Sequence, residues 1–181
     1  MTHADPIALT RQWLERAVIG LNLCPFAKAV HAKGQVRFVL SDATTPEGLL
    51  EALLTELAWL RDADPQDTDT TLLVHPRVLT DFLDYNDFLD TADDAIAALD
   101  LEGILQVASF HPDYQFAGTE PDDIGNYSNR APFPTLHLLR EDSVARAVEA
   151  FPDADDIVDR NLATLQALGR DGWERLLDEE K

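Results

Sequence analysis

The sequence predicts an α/β fold: a mixed sheet of about four strands packed with helices, followed by a helical C-terminal segment. Three observations predict it. Hydrophobic spacing alternates along the chain between short strand-like runs and longer stretches of helical period. Capping residues and prolines separate the segments. One run, Thr70 to Val74, is apolar through its centre, as suits a strand covered on both faces.

Asp5-Pro6 starts the first helix, with Asp as N-cap and Pro in the first turn. Ile7, Trp13, Leu14, Ala17, Val18 and Leu21 form its apolar set, and Gly20 ends or bends it. A short helix is expected from Pro25 to about His31, and a strand from Gln35 to Leu40. Thr45-Pro46-Glu47 opens a helix whose face is Leu49, Leu50, Leu53, Leu54, Leu57 and Leu60. After a polar linker over 62–69 comes the strand Thr70 to Val74. Helical spacing returns from Thr80 to Leu99, with Asp81, Asp84, Asp87 and Asp90 on the solvated side. Ile104 to Phe110 and Thr135 to Leu139 read as strands, and Glu141 to Phe151 as a helix stopped by Pro152. Asp153 to Leu168 is helical up to Gly169, and Asp171 to Glu180 forms a last amphipathic helix. Helical crossovers favour parallel pairing. Residues 1–181 read as one α/β domain, with 152–181 as its helical C-terminal extension.

Composition narrows the function. Asp and Glu number 34 against 14 Lys and Arg, a formal charge of −20, and residues 78–129 contain no Lys or Arg. Such a field repels phosphate, so nucleic acid and anionic membrane surfaces are not expected partners. The surplus reads as a soluble, self-repelling surface, with a salt-adapted source as the alternative. No signal-peptide pattern opens the chain, and no run approaches the roughly 18 apolar residues of a membrane helix. The single cysteine, Cys24, rules out an internal disulfide and fits a reducing compartment, so a cytoplasmic location is expected.

The connection between the last two strands holds the densest set of binding groups. Ordinary connections are about 4–6 residues, and long structureless ones are usually functional or disordered; Pro, Gly and aromatic residues at this density point to an ordered loop. Two strands end in the same dipeptide, His75-Pro76 and His111-Pro112, and ligands of open α/β sheets bind outside such strand ends. If the two strands are parallel neighbours, both histidines share one rim. His111 is a candidate general acid/base. His75 reads equally as a strand-exit residue. His137, between Leu136 and Leu138, points away from them and reads as a structural histidine or a ligand-facing one. Arg130, the first basic residue after Arg77, binds an anion with Asn126 and Asn129, or holds the loop together with Asp123 and Asn126. Tyr114, Phe116 and Tyr127 wall an organic ligand or bury the loop against the core. Cys24 before Pro25 reads as an N-cap thiol and candidate nucleophile, or as a small buried hydrophobe. No phosphate loop, dinucleotide fingerprint or zinc pattern is present, and no cofactor is called for.

Four segments carry a family resemblance. Leu-Asn-Leu-Cys-Pro-Phe-Ala at 21–27, the His111-Pro112-x-Tyr114-x-Phe116 run, the block from Asn126 through Arg130 and His137 to Glu141, and Asp159-Arg160-Asn161 resemble the bacterial family called domain of unknown function 1415. The resemblance spans nearly the whole chain and implies a single-domain bacterial protein. It carries over no catalytic role. It does imply that Cys24, His111, Asn126, Arg130 and His137 belong to one shared pattern, with Arg160 joining from the late helix.

Three functional expectations follow. The first is a small cytoplasmic hydrolase or group transferase acting on an anionic small molecule, with His111 as acid/base, Arg130 as anion anchor and Cys24 as nucleophile. The second is a non-catalytic ligand- or partner-binding protein. The third is a metal-dependent hydrolase using His75, His111 and Asp113.

Overall fold

The computed structural model describes residues 4–151 and 153–178. Helix α1, Pro6–Trp13, starts where Asp5 accepts a hydrogen bond from the Ile7 N–H at 3.0 Å. It runs on as a π-wound turn over Leu14–Ile19, in which the Gly20 N–H reaches back to the Glu15 carbonyl. A Cβ on Gly20 would lie 2.1 Å from the Arg16 carbonyl oxygen, so only glycine fits the exit.

The expected helix from Pro25 is shorter. Residues 24–27 make a turn, with the Ala27 N–H on the Cys24 carbonyl, and α2 spans Ala27–Ala32 with no side-chain cap. Cys24 is therefore not an N-cap. Helix α3, Pro46–Asp62, is capped by Thr45, and α4, Phe82–Ala98, by Asp81, which accepts from the Leu83 and Asp84 N–H groups. Asp81, Asp84, Asp87 and Asp90 are exposed, as a solvated helix face requires.

Four strands, β1 (Val36–Leu40), β2 (Thr70–Val74), β3 (Leu105–Phe110) and β4 (Thr135–Arg140), form one mixed sheet in the order β1-β2-β4-β3. Across the α3 crossover β1 and β2 pair in parallel. The strands β2 and β3 are not neighbours, which corrects the condition set on their shared rim. No helix crosses the sheet between residues 110 and 135, so β4 returns antiparallel and fills the place between them. β2 and β3 still run the same way. Thr135 at the start of β4 pairs with both Val74 and Phe110, which brings both strand ends to one level.

Alternation along the strands separates two cores. Val39, Leu73, Leu105, Val107, Leu136 and Leu138 face α3 and α4, where Leu49, Leu53, Leu57, Leu60, Tyr85 and Ile96 bury against them. Each such leucine contributes about 1.5–3 kcal/mol by leaving water. Val36, Phe38 and Phe110 face the other way, toward Trp13, Leu14, Ala17 and Val18. Helix α5, Glu141–Ala150, follows β4 directly, and α6, Ile157–Asp178, delivers Leu165 and Trp173 to the second core. Gly169 kinks α6 at a φ of 70°, a conformation glycine adopts freely.

Tyr85 locks α4 to the sheet. Its hydroxyl donates to the Thr135 carbonyl at 2.7 Å and accepts from the Phe110 N–H at 3.0 Å, in a fully buried position. Tyr85→Phe would strand both backbone groups. The expected loss is about 1–3 kcal/mol of unfolding free energy, read from urea melts; an unchanged midpoint would contradict this role.

Candidate functional site

The two His-Pro strand ends lie on one rim, and both histidines are fully buried there against Tyr85. Nδ1 of His75 contacts the Val78 carbonyl at 3.0 Å, and its Nε2 has no partner. Burial pushes the His75 pKa down to about 4, against the opposing pull of the Val78 carbonyl. In His111, Nδ1 accepts from the Asp113 N–H at 3.0 Å, so the proton sits on Nε2 and is donated to the Leu79 carbonyl at 3.0 Å. Burial lowers this pKa too. Both ring nitrogens of His111 are thus engaged with backbone.

The long connection is held by its own polar groups. Asn126 is fully buried. Its Oδ1 accepts from the Phe116 N–H and the Thr119 hydroxyl, and its Nδ2 donates to the Glu120 carbonyl. Asn129 donates to the Ser109 carbonyl. The Arg130 guanidinium donates to the Tyr114 and Pro121 carbonyls and lies 4.5 Å from the centre of the Tyr127 ring. Tyr114 packs between Phe82 and Phe116. These contacts form an internal frame, with the Asp123 carboxylate closing it on the Glu120 N–H.

On the opposite face of the sheet from α3 and α4 lies a chamber of about 580 Å³. Its floor is the sheet, at Val36, Thr70, Leu72, Gln106, Ala108, Phe110, His137 and Leu139. The π-wound turn contributes Leu14 and Val18, the turn before α2 contributes Cys24, Pro25 and Phe26, and α5 contributes Ser143, Val144 and Ala147. Phe26 is braced edge-on by Phe151 at 5.9 Å, and Arg160 lies over Phe151 at 5.6 Å, outside the lining. Among the described residues no Lys or Arg lines the chamber, and its one carboxylate is Asp69, which accepts from the Ser143 hydroxyl.

His137 stands at the centre of the floor, paired across the sheet with Leu72 and Ala108. The Thr70 hydroxyl spends its single proton on the Leu138 carbonyl, so the 2.7 Å contact between Thr70 Oγ1 and His137 Nε2 makes the ring the donor. The imidazole is then the Nε2–H tautomer. Burial pushes its pKa down to about 4, so it is neutral at pH 7.

The structure therefore splits the sequence-predicted set in three and leaves Arg160 apart from them, over Phe151. Cys24 and His137 share the chamber; His75 and His111 share the buried rim; Tyr114, Asn126, Asn129 and Arg130 build the loop frame. Sequence reasoning missed Thr70, Gln106, Trp13 and Phe26. Thr70 was the readable one, a polar residue opening a strand otherwise buried throughout. Among the described residues no group of three or more His, Cys, Asp or Glu stands close enough to hold a metal ion. No helix among them is long and apolar enough to cross a membrane.

Fold and site together define an α/β protein with a four-stranded mixed sheet and an apolar chamber on one sheet face. A family model described as "Protein of unknown function (DUF1415)" matches residues 5–175, and the chain belongs to that family. No curated protein and no solved structure matches the chain significantly.

The buried rings set an acid limit on stability. Unfolded histidines take up protons near pH 6.5, whereas folded His75 and His137 resist until about pH 4. The contribution of these rings to stability is therefore constant above about pH 6.5 and is lost as the pH drops toward 4. By pH 5 the loss is about 2 kcal/mol for His75 and less for His137, whose ring the chamber reaches. Urea unfolding at pH 7.5 and pH 5.0 measures it; equal free energies would contradict the burial of these rings.

Proposed function

We propose that this protein binds a small, mainly apolar molecule in the chamber over the sheet. One observation carries the proposal: about 580 Å³ of space walled by Leu14, Val18, Phe26, Leu72, Phe110, Leu139 and Val144, with few polar groups among them. Ligand sites are typically concave, largely apolar and of about 300–1,000 Å³, with a small number of placed polar groups. Cys24, Thr70, Gln106 and His137 supply that polar minority.

The same features favour the ligand-binding reading over an anion held at Arg130. The guanidinium already serves two carbonyls and one ring. His111 has no free ring nitrogen for proton transfer. A metal hydrolase built on His75 and His111 would have to break a backbone contact of His111, both of whose ring nitrogens are engaged. A second reading, group transfer with Cys24 as nucleophile, is favoured by the place of that thiol in the chamber wall.

Titration with N-phenyl-1-naphthylamine, an uncharged fluorophore, tests the proposal. The expected result is saturable binding that Ala108→Phe weakens at least tenfold, because the new ring rises from the chamber floor. Cys24→Ser should leave that affinity within about twofold. Absence of saturable binding, or equal affinity in the Ala108→Phe variant, would overturn the reading.

A further inference from the structure

We infer that the chamber selects an uncharged ligand carrying a hydrogen-bond donor, which it recognises through Nδ1 of His137. This rests on the chamber reading above and names the chemical class of its occupant.

The argument starts from Thr70. A hydroxyl has one proton, and the Leu138 carbonyl takes it. The imidazole beside it must therefore donate from Nε2, which leaves Nδ1 as a lone-pair acceptor. That nitrogen has no hydrogen-bond partner among the described residues, and it is not among their sealed, unpartnered polar atoms. It belongs to a ring on the chamber floor, beside Phe110 at 5.9 Å. Burial keeps the ring unprotonated at neutral pH, so its role as acceptor is fixed. A ligand that places an O–H or N–H there replaces the hydrogen bond it gave up in water; a ligand without one leaves the acceptor unmatched.

Charge selection follows from the lining. Among the described residues the chamber holds the Asp69 carboxylate and no cation, inside a chain of net charge −20. An anion entering it would lose hydration with no positive charge to compensate it. The chamber thus discriminates against the class of ligand that the loop residues suggested.

Three probes on one naphthalene ring separate the cases at pH 7: 2-naphthol, 2-methoxynaphthalene and 2-naphthoate, each titrated by calorimetry against the full chain. Apolar burial alone ranks 2-methoxynaphthalene first, by about fourfold for its extra methyl group. The inference predicts the reverse: 2-naphthol tightest, by threefold or more, and 2-naphthoate weakest, by at least tenfold. In His137→Phe, which keeps a ring and removes the acceptor, the order of the two neutral probes should revert to the apolar one. In Thr70→Val the tautomer is released, and the advantage of 2-naphthol should shrink. A wild-type order with 2-methoxynaphthalene equal to or above 2-naphthol would overturn the donor requirement, and a tightest 2-naphthoate would overturn the charge rule, while the chamber itself stands. Failure of all three to bind would remove the chamber reading along with both. If a variant does not fold, the wild-type ranking alone decides.

Discussion

The strand β4 runs against both of its neighbours, and its two-residue alternation decides what each face of the sheet contains. Leu136 and Leu138 enter the packed core under α3 and α4. His137 and Leu139, one residue out of phase, form the floor of the chamber. A register slip of a single residue would put the imidazole into the leucine core and a leucine in its place. Tyr85 guards against that slip, because its hydroxyl holds the Thr135 carbonyl where β4 begins.

The rest of the architecture can be read as support for that insertion. β3 and β4 are joined without a crossover, so the long connection must stay at one edge of the sheet. There it ties itself down through Asn126, Asn129 and Arg130 rather than through a hydrophobic core of its own. Tyr127 anchors it to Trp173 of α6, edge-on at 5.6 Å. The residue types that made this segment look like a site are those that a buried polar frame needs: amides and a guanidinium to satisfy carbonyls, and aromatic rings to cover them.

Much of the fold was legible in the sequence because local signals were strong. Asp5 and Thr45 each cap the helix they were expected to start; Asp81, expected only on a solvated face, turns out to cap α4. The strand at Thr70–Val74 is buried throughout, as its apolar centre implied. What failed was anything that needed partners distant in the chain. The strand order could not be read from periodicity, although the lack of a long amphipathic helical pattern between Phe110 and Thr135 was a usable sign of antiparallel return. The Cys24 cap was misplaced because a turn over 24–27 precedes α2. The chamber itself has no sequence motif. Its walls come from the π-wound turn, the turn before α2, the sheet and α5, and the lining apolar residues look in sequence like any other core. His137 was correctly seen to point away from its leucine neighbours, since strand alternation is a local rule.

The central claim is that the space over His137 is a ligand site whose wall includes the only thiol of the chain. The most direct test is the rate of Cys24 alkylation by N-ethylmaleimide, with and without saturating N-phenyl-1-naphthylamine. Occupation of the chamber should slow labelling at least tenfold, because the bound molecule covers the thiol. An unchanged labelling rate with the fluorophore bound would place the ligand elsewhere and contradict the account.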